Sequence, residues 1–192
     1  PEKIRKFSEL IKKRYSLKII NFKSSKEIIP YVDKMFELLS KTYNQLQTFV
    51  PIQDYQINHY KKKYFRYLNP KLIKCIVNTR NELIAFVIAM PSFAKALKKA
   101  NGRLFPFGFI HILKSLYIND KVSFYLMGIH PDFQNKGVTA ILLNEIQKTL
   151  NQMGVKIIET NPELEENIAI QRLWKNYSHR IHKKRATFTL NF

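Results

Sequence analysis

Cysteine, glycine and acidic residues are all scarce in this chain of 192 residues. The single cysteine, Cys75, excludes an internal disulfide and fits a reducing compartment. Five glycines and eight prolines are too few for a flexible linker or a low-complexity tract. The longest uninterrupted apolar run, residues 83–90, falls far short of the roughly 20 residues a membrane-spanning helix needs, so no span is expected. No charged region, apolar stretch and small-residue cleavage site follow one another at the start of the sequence, and the expected location is the cytoplasm. No spacing of His, Cys and Asp resembles a metal site, so no metal is expected.

The acidic deficit sets the charge. Fourteen carboxylates face 33 lysines and arginines, a formal net charge of +19. Such a chain attracts anions: nucleic acid, an anionic membrane surface or a polyphosphate cofactor. Lysines scattered over a solvated surface account for the same number equally well. A hydrophobic fraction of 45% and an aromatic fraction of 13% supply a core and argue against disorder.

The pattern along the chain alternates in period. Leu17, Ile19 and Ile20 suggest a short strand after a helical lead-in. Ser24 and Glu27 have the spacing of a capping box before Ile28, Val32, Met35, Phe36, Leu39 and Tyr43, which recur as one helical face. Asp54 can cap a second helix bearing Ile57, Tyr60, Tyr64 and Tyr67. Residues 72–78 and 83–90 read as an antiparallel hairpin around 79–82. Residues 93–118 read as an irregular insertion with a short basic helix and a second helix through Ile110, Leu113 and Tyr117. Residues 122–129 form a further strand. Then Val138, Ile141, Leu142, Ile146 and Leu150 return to helical spacing, with Gly154 as the stop. Residues 155–160 read as a strand, Ile170, Leu173, Trp174 and Tyr177 as a last helix, and 180–190 as one or two closing strands.

The chemistry concentrates where the strand at 122–129 passes through a short loop into a helix. A helix N-terminus presents unpaired backbone N–H groups and partial positive charge, Gly137 allows close backbone approach, and Lys136 adds a cation. That combination suits a phosphate; it is equally the composition of an ordinary strand-to-helix turn.

Residues 126–139, Leu-Met-Gly-Ile-His-Pro-Asp-Phe-Gln-Asn-Lys-Gly-Val-Thr, resemble the acyl-CoA-binding signature of the GNAT N-acetyltransferase superfamily. In that signature a strand ends in an x-V-x-P element and leads to Q/R-x-x-G-x-G/A. Gln134 and Gly137 match, and Thr139 stands where Gly or Ala is usual. Asn167, Leu173 and Trp174 resemble the family's N-x-x-A-x-x-L-Y element, with Trp174 at the Tyr position. The stretches 102–106 and 164–167 resemble an uncharacterised bacterial branch whose members often carry an additional N-terminal domain, so the chain reads as the C-terminal half of a longer protein.

The resemblance implies an α/β (α+β) fold, a mixed, mostly antiparallel sheet with helices on both sides. Residues 1–18 would be a lead-in or linker and 19–192 a single GNAT-like domain. It implies acetyl-CoA, or another acyl-CoA, held by Ile129, Gln134, Asn135, Lys136, Gly137, Val138, Thr139 and Asn167. The implied activity is acyl transfer to an amine of a small molecule or peptide, by direct transfer in a ternary complex, and a homodimer is compatible with the family. A backbone N–H near Ile129 would face the thioester. Because 122–129 holds no carboxylate, Glu159 is the candidate base, and Tyr177 stands in for the missing tyrosine as candidate acid. Tyr125, Asn161 and Glu166 are candidate substrate contacts.

Each has a plainer reading. Glu159 suits a strand ion pair, Tyr177 a core position, His130 a turn and Cys75 the core. Two basic clusters, Lys95, Lys98, Lys99 and Arg103, and Arg180, His182, Lys183, Lys184 and Arg185, leave open a non-catalytic module for nucleic acid or an acidic partner, ranked below the cofactor. A longer acyl group passed to an amino acid is a third reading.

Overall fold

The apolar runs on either side of 79–82 become the central hairpin of the computed structural model, which describes residues 2–44, 50–63, 65, 68–175, 177–186 and 188. Strand β2 (Ile73–Val77) pairs antiparallel with β3 (Leu83–Pro91), Cys75 opposite Phe86. Asn78 makes the turn: its side-chain oxygen accepts the N–H groups of Arg80 and Glu82, both at 3.0 Å. Strand β1 (Lys18–Asn21) flanks β2, and β4 (Lys121–Ile129) lies antiparallel to β3. With β5 (Ile157–Thr160) they form a five-stranded sheet in the order β1-β2-β3-β4-β5. Residues 1–159 make one compact unit and 160–192 a second.

Both faces of the hairpin are buried, so its strands read as continuous apolar runs rather than alternating ones. Helix α2 (Ser25–Tyr43) places Ile28, Val32, Met35, Phe36 and Leu39 in one core with Ile73, Cys75, Phe86 and Ile88. Helix α6 (Val138–Gln152) buries Ile141, Leu142, Ile146 and Leu150, each at most 2% exposed, and packs on β2 and β3. Each such side chain contributes about 1.5–3 kcal/mol of burial. By strand alternation Lys74, between Ile73 and Cys75, turns away from the α2 core. Its ammonium donates to Asn21 Oδ1 at 2.8 Å, and burial lowers its pKa, opposed in part by the charge of Glu145.

The lead-in is itself structured. Helix α1 (Glu2–Arg14) packs on α6: Ser8 is fully buried and its hydroxyl accepts from Asn144 Nδ2 at 3.3 Å, while Ile11 and Leu17 are buried.

Several details depart from the pattern-based expectations. Ser24 precedes α2 without a side-chain cap; Glu27 instead accepts the N–H of Lys23, and the Ser25 hydroxyl binds the Leu68 carbonyl. Helix α3 (Asp54–Lys63) starts at Asp54 rather than being capped by it, because Gln56 reaches back to the N–H of Gln53. Tyr64 and Tyr67 of the expected stripe lie outside the described residues. The segment 178–186 forms no strand, its cations lacking the apolar alternation that would fix a register; residues 187 and 189–192 are outside the description.

The insertion between β3 and β4 carries α4 (Ala94–Lys99) and α5 (Gly108–Tyr117). Lys95 bonds Asp120 at 3.1 Å, and that contact lowers the Asp120 pKa. Asn119 Nδ2 donates to the carbonyls of Ser92 and Ser115. In the second unit, α7 (Ile168–Trp174) is capped by Asn167, whose Oδ1 accepts from Ile170 N–H at 3.4 Å. The Trp174 indole N–H is shared by both oxygens of Glu163, at 2.9 and 3.0 Å.

Candidate functional site

Strand β4 changes character half-way. Its register against β3 slips between Ile88 and Ala89, which pair with Leu126 and Phe124, so Tyr125 is the extra residue of a bulge. A bulge bends its strand and re-aims the side chain it carries, and Tyr125 is accordingly exposed at 44%. Beyond it, Gly128 lies under the Phe86 ring so closely that a Cβ would be 2.6 Å from Phe86 Cε1.

The end of the strand fixes the direction of one backbone group. The N–H of His130 donates to the Ile84 carbonyl at 2.8 Å, so Ala85 and Ile129 face each other as a non-hydrogen-bonded pair. The N–H and C=O of Ile129 therefore point away from β3. Its carbonyl accepts from Thr42 Oγ1 at 3.1 Å and from Gln134 Nε2 at 3.3 Å, and two residues earlier the Met127 carbonyl accepts from Tyr43 Oη at 2.8 Å. The C-terminal turn of α2 thus lies along this stretch of β4.

A tight loop follows. Residues 131–133 form one 3-10 turn, where His130 Nδ1 accepts the Asp132 N–H at 3.3 Å. Asn135 and Gly137 then adopt left-handed backbone, φ +57° and +82°, and α6 begins. Its φ favours glycine there, and a Cβ would press on Phe7 Cε1 at 2.9 Å, the far end of an exposed ring, and on Ile11 Cγ1 at 3.1 Å. Helix α1 therefore covers the bare Cα of Gly137. The first N–H groups of α6, on Val138 and Thr139, belong to the four that a helix cannot satisfy within itself. Lys136 is exposed, its ammonium 5.9 Å from the centroid of the Tyr15 ring and 5.7 Å from that of Phe133; those two rings meet edge to face at 5.9 Å. Such cation–ring contacts restrain a long side chain without neutralising it.

The residues singled out from the sequence are thus partly brought together. Ile129, Gln134, Asn135, Lys136, Gly137, Val138 and Thr139 form one continuous loop and helix start. Gln134 ties the loop back to the strand. Tyr125 lies four residues up β4, about 13 Å by strand rise. Glu159, on β5, pairs with Lys121 at 2.9 Å at the opposite end of β4 from the loop. Asn161, Glu166, Asn167 and Tyr177 belong to the second unit. There Asn167 caps α7, Glu166 and Asn161 are exposed, and Tyr177 packs edge to face on Trp174 with centroids 6.1 Å apart. Burial raises the Tyr177 pKa above the ordinary tyrosine value of 10.0. Among the described residues no group of His, Cys, Asp and Glu could hold a metal.

Phe7, Tyr15, Thr42 and Tyr43 were not legible as site residues. Their contacts with the loop and with β4 are tertiary, and nothing in their local sequence marks them.

Comparison with known proteins finds no matching family model and no curated relative. Solved structures do match. An aminoglycoside acetyltransferase, meta-AAC0020 from an uncultured soil metagenomic sample, in complex with sisomicin, superposes with a TM-score of 0.57 at 11% identity, covering 94% of this chain and 99% of that one. AAC(6')-Iy, in complex with a bisubstrate analogue of CoA and acetylneamine, gives 0.53 at 10% identity over 92% and 99%. The ribosomal-protein-alanine N-acetyltransferase of Brucella melitensis biovar Abortus 2308 gives 0.50 at 10% identity over 91% and 98%. The chain has the GNAT acetyltransferase fold. At these identities the likeness is one of fold. Of the positions compared with the GNAT signature, Gln134 and Gly137 fall on the turn between β4 and α6 and Thr139 in the first turn of α6.

Proposed function

We propose that the chain is an acyl-CoA-dependent N-acyltransferase, most simply one that passes acetyl from acetyl-CoA to an amine by direct transfer in a ternary complex. The observation that carries this reading is the β4–α6 turn, where left-handed Asn135 and Gly137, the opening N–H groups of α6 and the restrained Lys136 ammonium converge within the GNAT fold. These groups fit a pyrophosphate: backbone donors and one exposed cation, with the Thr139 hydroxyl as a further donor. Acetyl-CoA supplies a thioester whose acyl group can pass to an amine nitrogen, releasing the CoA thiol.

The chain's own groups have separable tasks in this reading. The loop and Lys136 hold the phosphates. Ile129 N–H, directed away from β3, donates to the thioester oxygen as negative charge develops there. Glu159, held by Lys121 eight residues before Ile129 on β4 and so about 26 Å away by strand rise, is too remote to take the amine proton at the centre that Ile129 N–H faces, and that proton leaves to solvent. Tyr125 contacts the amine; Tyr177 as acid and Asn161 and Glu166 as substrate contacts are proposed on the family resemblance alone.

One observation favours a second reading, a non-catalytic basic module for nucleic acid or an acidic partner. Thr42 and Tyr43 already occupy the Ile129 and Met127 carbonyls, acceptors that an extended ligand lying along β4 would otherwise use.

Calorimetric titration of acetyl-CoA and of CoA into protein stripped of ligand separates the two. Acyltransfer predicts roughly stoichiometric, micromolar binding that Lys136→Ala weakens by about tenfold, the worth of one charge-assisted contact. Absence of heat at millimolar CoA, together with salt-dependent binding of oligonucleotides, overturns acyltransfer in favour of the basic module.

A further inference from the structure

Helix α5 faces the wrong way for a surface helix. A helix on a globular protein turns its apolar stripe inward, but the residues of α5 that turn inward here are His111, Ile112, Ser115 and Leu116, only half-buried. The outward face is Phe109, Ile110, Leu113 and Tyr117, which are 41%, 50%, 51% and 85% exposed. The preceding turn extends the same surface, with Phe105 at 80% and Phe107 at 70%. Contiguous exposed apolar surface on this scale marks an interaction site.

The charge around it is of one sign. Between Glu82 and Asp120 the sequence has Lys95, Lys98, Lys99, Arg103 and Lys114 and no acidic residue. A groove of about 520 Å³ brings Lys99, Arg103 and His111 beside Phe105 and Phe107, so cations and protruding rings share one surface.

We infer that the α4–α5 insertion is a peripheral membrane-docking surface for an anionic lipid bilayer. Aromatic and aliphatic side chains on one face and cations at its border are the recipe for a helix that lies in the headgroup region, with its rings among the acyl chains and its cations among lipid phosphates. Charge complementarity selects this occupant. A second copy using the same patch would bring two cationic surfaces together with no acidic residue from 83–119 to pair them. Nucleic acid would satisfy the cations and leave the stripe from Phe105 to Tyr117 in water. An anionic bilayer satisfies both. Docking here adds to acyl transfer and uses none of the residues assigned to it.

Sedimentation with vesicles tests this on the full chain. Vesicles of equal parts phosphatidylcholine and phosphatidylglycerol should carry down the protein at least about tenfold more strongly than phosphatidylcholine alone, and raised salt should weaken the partition. Lys99→Gln with Arg103→Gln should cut binding by roughly 25-fold, since each cation near an anionic surface is worth about a fivefold factor. Phe105→Ser with Phe107→Ser should cut it more than about tenfold. Both pairs should leave the melting temperature unchanged, because the substituted side chains are exposed. Lys23→Gln with Lys26→Gln, an equal loss of charge on exposed residues elsewhere, should leave most of the binding intact. Equal binding to the two kinds of vesicle, no binding to either, or equal losses from the two lysine and arginine pairs would each overturn the proposal. So would a concentration-dependent dimer that the serine pair dissolves without any vesicle binding.

Discussion

Helices α5 and α6 are both amphipathic and stand on either side of β4 in the chain, yet only α6 spends its apolar face on the protein's own core. Ile141, Leu142, Ile146 and Leu150 of α6 are sealed against the hairpin, whereas Leu113 and Tyr117 of α5 meet solvent. Periodicity states which residues share a face; it does not state what covers that face. The covered face holds the fold, and the uncovered one is available for a partner.

The sharpest break in that comparison is a matched pair of truncations. Leu142→Ala, at a residue 1% exposed, should cost about 2–5 kcal/mol in urea unfolding, while Leu113→Ala should stay within about 0.5 kcal/mol. A cost for Leu113→Ala equal to that of Leu142→Ala would mean that α5 is a core helix after all. Two glycines draw the same contrast on a smaller scale. Gly128→Ala drives a methyl into the Phe86 ring and should cost about 1–3 kcal/mol. Gly102→Ala, in the insertion, meets nothing within 4 Å and should cost only its left-handed backbone, about 1 kcal/mol. Ser8→Ala probes the far side of α6. It removes one of the two acceptors of Asn144 Nδ2, Glu145 being the other, and should cost about 1 kcal/mol, read as a fall in chemical stability.

The smallest effect depends on pH. Lys74 has a lowered pKa in the folded state, so between that value and the ordinary lysine value of 10.5 the unfolded chain binds more protons. Stability from this group therefore rises with pH across that window. Measured as a difference, wild type should gain on Lys74→Met as pH climbs toward 10.5; a flat difference would remove the burial of the ammonium from the account.

Much of this was legible in advance where apolar periodicity and loop chemistry agree. Helix α2, the central hairpin, β4 and α6 follow from side-chain spacing, and Gln134 and Gly137 mark the turn where β4 hands over to α6. What was not legible depends on partners remote in sequence. The Tyr43 and Thr42 hydroxyls reach β4 across 84 and 87 residues. Tyr15 beneath Lys136 and Phe7 against Gly137 depend on how α1 lies on α6. The bulge at Tyr125 leaves no compositional trace, because a bulge needs only one more residue on one strand than on the other. Ser24 carries a capping pattern, but it was its neighbour Ser25 that found a tertiary acceptor, Leu68.

The chain's single cysteine and its single tryptophan fall one in each unit. Cys75 is fully buried on β2 with its thiol pKa pushed up by that burial, so it reacts with a thiol reagent only when the sheet opens. Trp174 sits on the Glu163 carboxylate and against the Tyr177 ring in the segment after β5, and its emission responds to that environment. The unmodified protein therefore carries two intrinsic reporters. Labelling kinetics time the opening of the sheet, fluorescence times the loosening of α7, and the two clocks can be read on one sample without introducing a single substitution.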